Sequence, residues 1–170
     1  AGIERLVTVL FGSSNERRIR AIGYKRDKAG NEIVVPGSTL DRINKFEPEF
    51  EKLTDAELVE LQSHKNDWHV RTARRLLQER AANNTLAADT KARLHKLLGH
   101  REPRLVLRAM WALHGIGAGT PVELLQHESD VVRSWAVSLL AEQPQYDTRP
   151  FVGMASNDPS AMVRLALASA

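Results

Sequence analysis

The chain has 170 residues, 24 of them basic and 21 acidic, with 42% hydrophobic residues and no cysteine. That length fits about one domain of 100–200 residues and is too apolar for a disordered chain. Disulfides, thiolate metal sites, covalently attached haem and cysteine nucleophiles are excluded, and no run approaches the ~18 apolar residues of a membrane-spanning helix.

Charge is uneven along the chain. Residues 1–52 hold 10 basic and 8 acidic side chains, residues 53–116 hold 11 and 7, and residues 117–170 hold 3 and 6. The positive excess is central and mild, weaker than the contiguous bias of most nucleic-acid binders. The start, Ala1-Gly2-Ile3-Glu4, has no signal-peptide pattern, and with no initiator Met a trimmed or excerpted chain is expected.

Ile3, Leu6, Val7, Leu10 and Phe11 follow helical spacing and stop at Gly12, which predicts a short amphipathic helix. Residues 17–25 (RRIRAIGYK) and 32–35 (EIVV) flank Asp27-Lys28-Ala29-Gly30-Asn31, the pattern of a β-hairpin with a glycine in its loop. A second reading makes Ser13 and Glu16 a capping box that opens a helix ending at Gly23. Residues 36–52, with Pro36-Gly37 and Pro48, read as a linker lying over the helices that follow.

From residue 53 the chain repeats itself. Aligned on His64, His100 and His127, it places Ala73, Ala109 and Ala136 nine positions on, and Leu76-Leu77, Ala112-Leu113 and Leu139-Leu140 after them. A weaker fourth copy sets Asn157 in the histidine slot and Ala166 in the small one, giving spacings of 36, 27 and 30 residues. This is the period of stacked helix pairs. Thr54-Asp55-Ala56-Glu57 is a capping box with Leu53 and Leu58 as its staple, and Thr120, Pro121 and Glu123 suggest another. The second helices open on Asn66-Asp67, Glu102-Pro103, Ser129-Asp130 and Asp158-Pro159, and stops stand at Gly99, Gly115, Gly117 and Pro144. Val70, Ala73, Leu76 and Leu77 form the expected buried stripe, with Arg71, Arg74, Arg75 and Gln78 mostly on the other face. The fold class is therefore all-α, an α-α superhelix of about four helix pairs (53–170) behind a short irregular or β-hairpin segment (1–52), and Asp67 to Arg71 and Asp158 to Arg164 resemble the signature of HEAT-like repeats. The last helix lacks a cap or a polar closing repeat, so continuation of the chain or self-association at that end is expected.

The candidate sites are few. Equivalent positions on neighbouring helix pairs lie roughly 10 Å apart, so the three histidines cannot share one zinc with its ~2 Å bonds. They read instead as partners for the last carbonyls of the first helices. His64 with His69, and His95 with His100, offer two ligands at best. Trp68, Trp111 and Trp135 occupy three different slots and read as core or turn packing. Neither Trp111 nor Trp135 has a carboxylate four residues on, which weakens a DNA glycosylase-like reading. Arg71, Arg74, Arg75, Arg104 and Arg108 form a possible interaction face for an acidic partner or a phosphate backbone. Ser63-His64 lacks a nucleophile elbow, and no glycine-rich phosphate loop or pair of carboxylates stands out, so no catalytic residue, metal or cofactor is expected.

Residues 64–80 (HKNDWHVRTARRLLQER) and 108–117 (RAMWALHGIG) resemble the helical-repeat region of large secreted dehydrogenase-like proteins of Planctomycetes and Verrucomicrobia. The resemblance spans roughly residues 17–145 and is most specific over 58–80 and 104–117. It implies a parent with a quinoprotein-type β-propeller upstream, often a cytochrome c module, and a periplasmic or secreted location. Residues 18–25 resemble the last strand leaving such a propeller. The resemblance carries over no catalytic residue. What it implies for this chain is a non-catalytic scaffold or protein-interaction module whose partner is a protein or a neighbouring domain. Direct membrane insertion is not expected, and a nucleic-acid-binding repeat is the alternative.

Overall fold

A computed structural model describes residues 14–143 and 146–170 of the chain, so the helix expected near residues 3–11, Ser13 and the stop at Pro144 lie outside the described residues. The described residues are mostly α-helical, with one two-stranded antiparallel sheet. The chain divides into two compact units, Ala1–Lys52 and Leu53–Ala170.

In the first unit both readings of residues 13–35 hold in part. Helix α1, Ser14–Ala21, takes the residues assigned to the first strand, and strands β1 (Tyr24–Arg26) and β2 (Glu32–Val34) form a shorter hairpin behind it. Tyr24 pairs with Val34, Lys25 with Ile33 and Arg26 with Glu32. Gly23 makes the break between helix and strand, because its φ of +107° belongs to the region that glycine tolerates best. The loop is organised by Asp27, whose Oδ1 accepts from the Ala29 and Asn31 amides at 2.8 and 2.9 Å.

Residues 36–52 are not a linker. Helix α2 runs Thr39–Glu51, with Ser38 as its cap. The Ser38 Oγ accepts from the Asp41 amide at 3.2 Å, while Asp41 Oδ2 accepts from the Gly37 amide at 2.7 Å. This exchange satisfies two amides at the helix entry. It outweighs Pro48, which removes one helical hydrogen bond near the far end.

The second unit holds α3 (Asp55–Glu60, continued by a 3-10 turn at Leu61–Ser63), α4 (Asp67–Ala82), α5 (Thr90–Leu98) and α6 (Pro103–Gly115). After a 3-10 helix at Val122–Gln126 come α7 (Asp130–Ala141), α8 (Arg149–Asn157) and α9 (Ala161–Ser169). The capping box at Thr54 and Glu57 forms in both directions. The one expected at Thr120 does not. Pro121 stands at the cap itself in an extended conformation, one residue later than the box requires, and the Thr120 hydroxyl is enclosed without a partner. The first helix of that copy is accordingly a five-residue 3-10 helix.

Val70, Ala73, Leu76 and Leu77 are all buried on α4, as their spacing predicts. Farther along, Val106 and Met110 of α6 pack with Val132, Ala136, Val137 and Leu140 of α7, and Phe151, Met154 and Val163 close the same cluster. Ala109 and Ala136 have no exposed surface, which lets their helices approach closely.

The turns between first and second helices share one hydrogen bond. The Nδ1 of His64 accepts from the Asn66 amide, that of His100 from Glu102 and that of His127 from Ser129, each at 3.0 Å. The histidines therefore serve the start of the second helix, not the carbonyls at the end of the first. In the fourth copy Asp158 Oδ1 accepts from the Ser160 amide at 2.9 Å, so the slot belongs to Asp158, not Asn157, and α9 starts two residues later than Pro159 suggests. The carbonyl of the slot residue also meets an arginine six positions on, Arg133 to His127 at 2.8 Å and Arg164 to Asp158 at 2.7 Å. At His64 the corresponding donor comes from α6 as Arg108, at 3.0 Å.

Candidate functional site

The second helices α4, α6 and α7 carry the candidate face, and the five arginines expected there divide into distinct roles. Arg71 pairs with Asp67 one turn earlier at 2.8 Å, Arg75 with Glu79 at 2.8 Å, and Arg104 with Glu102 at 2.7 Å, all exposed to solvent. Such pairs are worth about 0–1 kcal/mol, so an incoming anion can replace the internal carboxylate at little loss.

Arg108 departs from the expected stripe. It is 5% exposed, and its Nη1 donates to the Gln62 and His64 carbonyls at 3.0 Å each while Nη2 reaches Asp67 at 3.2 Å. A helix wheel places Arg108 beside Arg104, but the turn packed against α6 presents bare carbonyls that a guanidinium satisfies. Arg108 is thus a cross-link between two helix pairs.

Arg74 is the pivot of the face. Its guanidinium carbon lies 5.4 Å from the centroid of the Trp111 ring, a cation–π distance. Burial lowers its pKa from the ordinary value; Asp67 opposes that shift, and the Arg71 and Arg108 charges add to it. Trp111 in turn meets Trp135 edge to face, with centroids 5.1 Å apart and ring planes at 80°. The Trp111 indole nitrogen is enclosed without a hydrogen-bond partner, whereas Trp135 is 42% exposed. Arg74, Trp111 and Trp135 therefore form a row that steps across three successive second helices.

Sequence reasoning missed this row because it compared slots by identity. Trp111 stands eleven positions after His100 and Trp135 eight after His127, a difference of three. Residues three apart lie on one helical face, and that periodicity was the available signal. Trp68 is elsewhere, on the first turn of α4, edge-on to His69 at 5.3 Å.

Among the described residues, no group of three or more His, Asp or Glu side chains is placed to hold a metal ion. The His64 and His69 rings lie 4.3 Å apart. A cleft of about 500 Å³ opens beside the third turn, lined by His127, Glu128, Arg133, Asn157 and Asp158 among others. Two of its charged side chains, Arg133 and Asp158, bind each other at 2.8 Å. No described helix is long and apolar enough to cross a membrane.

Comparison with protein-family models, with curated proteins and with solved structures found no match to this chain.

Proposed function

We propose that this chain is a non-catalytic helical-repeat module, its helix pairs stacked as an α-α superhelix, that docks an acidic protein segment on the face of α4, α6 and α7. The segment belongs to a partner protein or to a neighbouring domain of the same polypeptide. Under the resemblance noted above, the parent is a larger exported, dehydrogenase-like protein, periplasmic or secreted, and the redox chemistry sits outside these residues.

The observation that supports this reading is the Arg74, Trp111 and Trp135 row. A large aromatic side chain left 42% exposed beside a guanidinium is the composition of an interface hot spot, where Trp and Arg are enriched. Residues 53–116 carry 11 basic and 7 acidic side chains, so the local charge attracts an acidic partner. Arg71 and Arg104 can exchange their internal carboxylates for those of the partner, while Trp135 anchors an apolar residue.

Panning a random-peptide display library against the chain tests this. The expected binders are rich in Asp and Glu, carry at least one apolar residue, weaken with salt, and lose about tenfold or more in affinity against the Trp135→Ala variant. Absence of any Trp135-dependent binder overturns the reading. Tight binding of a single-stranded oligonucleotide with a steep negative salt slope would replace it with the nucleic-acid alternative, since stacked aromatics beside arginines also suit bases.

A further inference from the structure

Three of the four turns that open a second helix use a histidine where the fourth uses an aspartate. His64, His100 and His127 each present a bare Nδ1 lone pair to the amide two residues on, at 3.0 Å in every case. Asp158 does the same with a carboxylate oxygen at 2.9 Å. An imidazole accepts at Nδ1 only in its neutral form with the proton on Nε2; when protonated it has two donors and no acceptor. Histidine is also the side chain that changes charge between pH 5 and 8. We propose that the first three turns form a built-in acid-sensitive device, in which proton uptake by His64, His100 and His127 releases the entry of each following helix while the Asp158 turn stays closed.

The surroundings of the rings act in both directions: at His64 the Asn66 carbonyl lies 3.4 Å from Nδ1, where a protonated ring has an acceptor. A protonated ring faces the amide it formerly bonded, at the positive end of the following helix, and also stands at the negative end of the preceding one. Around His64, Arg108 of α6 already donates to the His64 carbonyl, Lys65 is adjacent, and the His69 ring lies 4.3 Å away. Burial, and then the charge of His64, holds His69 below the ordinary histidine range. A lowered value means that the stability His69 contributes is complete above that range and is lost as the pH falls below it. Around His127, Arg133 donates to the His127 and Glu128 carbonyls, so a new cation appears beside an existing one. Around His100 stand Arg101, Glu102 and Arg104. Of the carboxylates near these rings, Asp67 is engaged by Arg71 and Arg108, Glu102 by Arg104 and Asp130 by the Ser160 hydroxyl, while Glu128 lines the same cleft as His127.

The fourth turn supplies an internal control. Arg133 holds Asp158 below the usual carboxylate range, with burial opposing, so this acceptor remains ionised through the pH range where histidines gain protons. The device therefore discriminates within one chain, between three turns that respond to mild acid and one that does not.

Amide hydrogen exchange on the unmodified chain at about pH 7.5 and about pH 5.5, corrected for intrinsic exchange, reads the four turns separately. The Asn66, Glu102 and Ser129 amides are expected to lose about fivefold or more in protection on acidification, the size of one lost hydrogen bond, while Ser160 changes little. Equal losses at all four amides, or none at the first three, overturn the proposal. His100→Asn keeps a neutral acceptor and should abolish the response at Glu102 alone, leaving Asn66 and Ser129 responsive. A Glu102 response that survives in His100→Asn also overturns it.

Discussion

Arg133 and Asp158 meet side-on through two parallel hydrogen bonds, Nε to Oδ2 at 2.8 Å and Nη2 to Oδ1 at 2.9 Å. Both side chains are largely buried, at 12% and 6% exposure. The same arginine closes the third turn through the His127 carbonyl, and the same aspartate closes the fourth through the Ser160 amide. One ion pair thus couples two consecutive turns. The Ser160 hydroxyl adds a return bond to Asp130 at 2.8 Å.

Removing one side of this pair leaves a buried charge without its partner. Asp158→Ala is expected to destabilise the second unit by about 3 kcal/mol or more, measured by urea denaturation. Asp158→Asn keeps an acceptor for Ser160 and is expected to lose less. The pH dependence has a definite sign. Arg133 lowers the Asp158 pKa, so the stability it contributes is complete above the ordinary carboxylate range and is lost as the pH falls through the lowered folded value. The loss attributable to Asp158 therefore begins only below about pH 4.

The two arginines of α6 that looked alike in sequence should behave differently. Arg108→Met leaves the Gln62 and His64 carbonyls without their donor in a buried setting, and should destabilise by about 2–3 kcal/mol. Arg104→Ala loses only an exposed pair with Glu102 and should stay within about 0.5 kcal/mol. Thermal melts of the two variants side by side distinguish a cross-link from a surface charge; equal effects would remove the distinction.

How far the sequence reveals this fold depends on whether the deciding interaction is local. The stripe of Val70, Ala73, Leu76 and Leu77 and the box at Thr54 and Glu57 are local periodicities, and both are legible. Helix α2 hid behind Pro36-Gly37 and Pro48 because breaker residues dominated the reading, although Ser38 and Asp41 carried the capping signal. The shift of the fourth slot to Asp158 was hidden because Asp and His share no chemistry except an acceptor at similar reach. At the candidate face, the arginine positions were legible, but the burial of Arg108 depends on carbonyls 44 and 46 residues away in sequence. The Trp111 and Trp135 contact likewise depends on how α6 and α7 pack.

Gly23 is fixed by two independent constraints, which a pair of variants separates. A Cβ at this position would lie 2.0 Å from the Ser38 Oγ and 2.1 Å from its Cβ, at a φ of +107°. Gly30 shares a positive φ, +86°, but has open space around it. Gly30→Ala is expected to cost about 1 kcal/mol from backbone strain alone. Gly23→Ala must also displace the residue that caps α2, and should cost at least about 2 kcal/mol more. Hydrogen exchange across residues 18–51 reads the difference, and similar protection in both variants would show that Ser38 yields without loss.

Asp55 ties the start of α3 to the end of α4 and to α5. It is 6% exposed and accepts from Arg80 Nη1 at 2.5 Å, the Ala87 amide at 2.6 Å and the Thr90 hydroxyl at 3.2 Å. Burial pushes its pKa up, yet the bonds from Ala87, Arg80 and Thr90 together bring it below the ordinary value. Asp55→Asn keeps the shape but turns one acceptor into a donor that faces other donors, and leaves Arg80 with the Leu53 carbonyl. A loss of about 3 kcal/mol is expected from this single change. Thr90→Val removes one longer neutral donor and should cost about 1 kcal/mol. Because Asp55 is the common acceptor, the double variant is expected to cost less than the sum of the single ones. Strict additivity in a double-mutant cycle would show that the two side chains act separately.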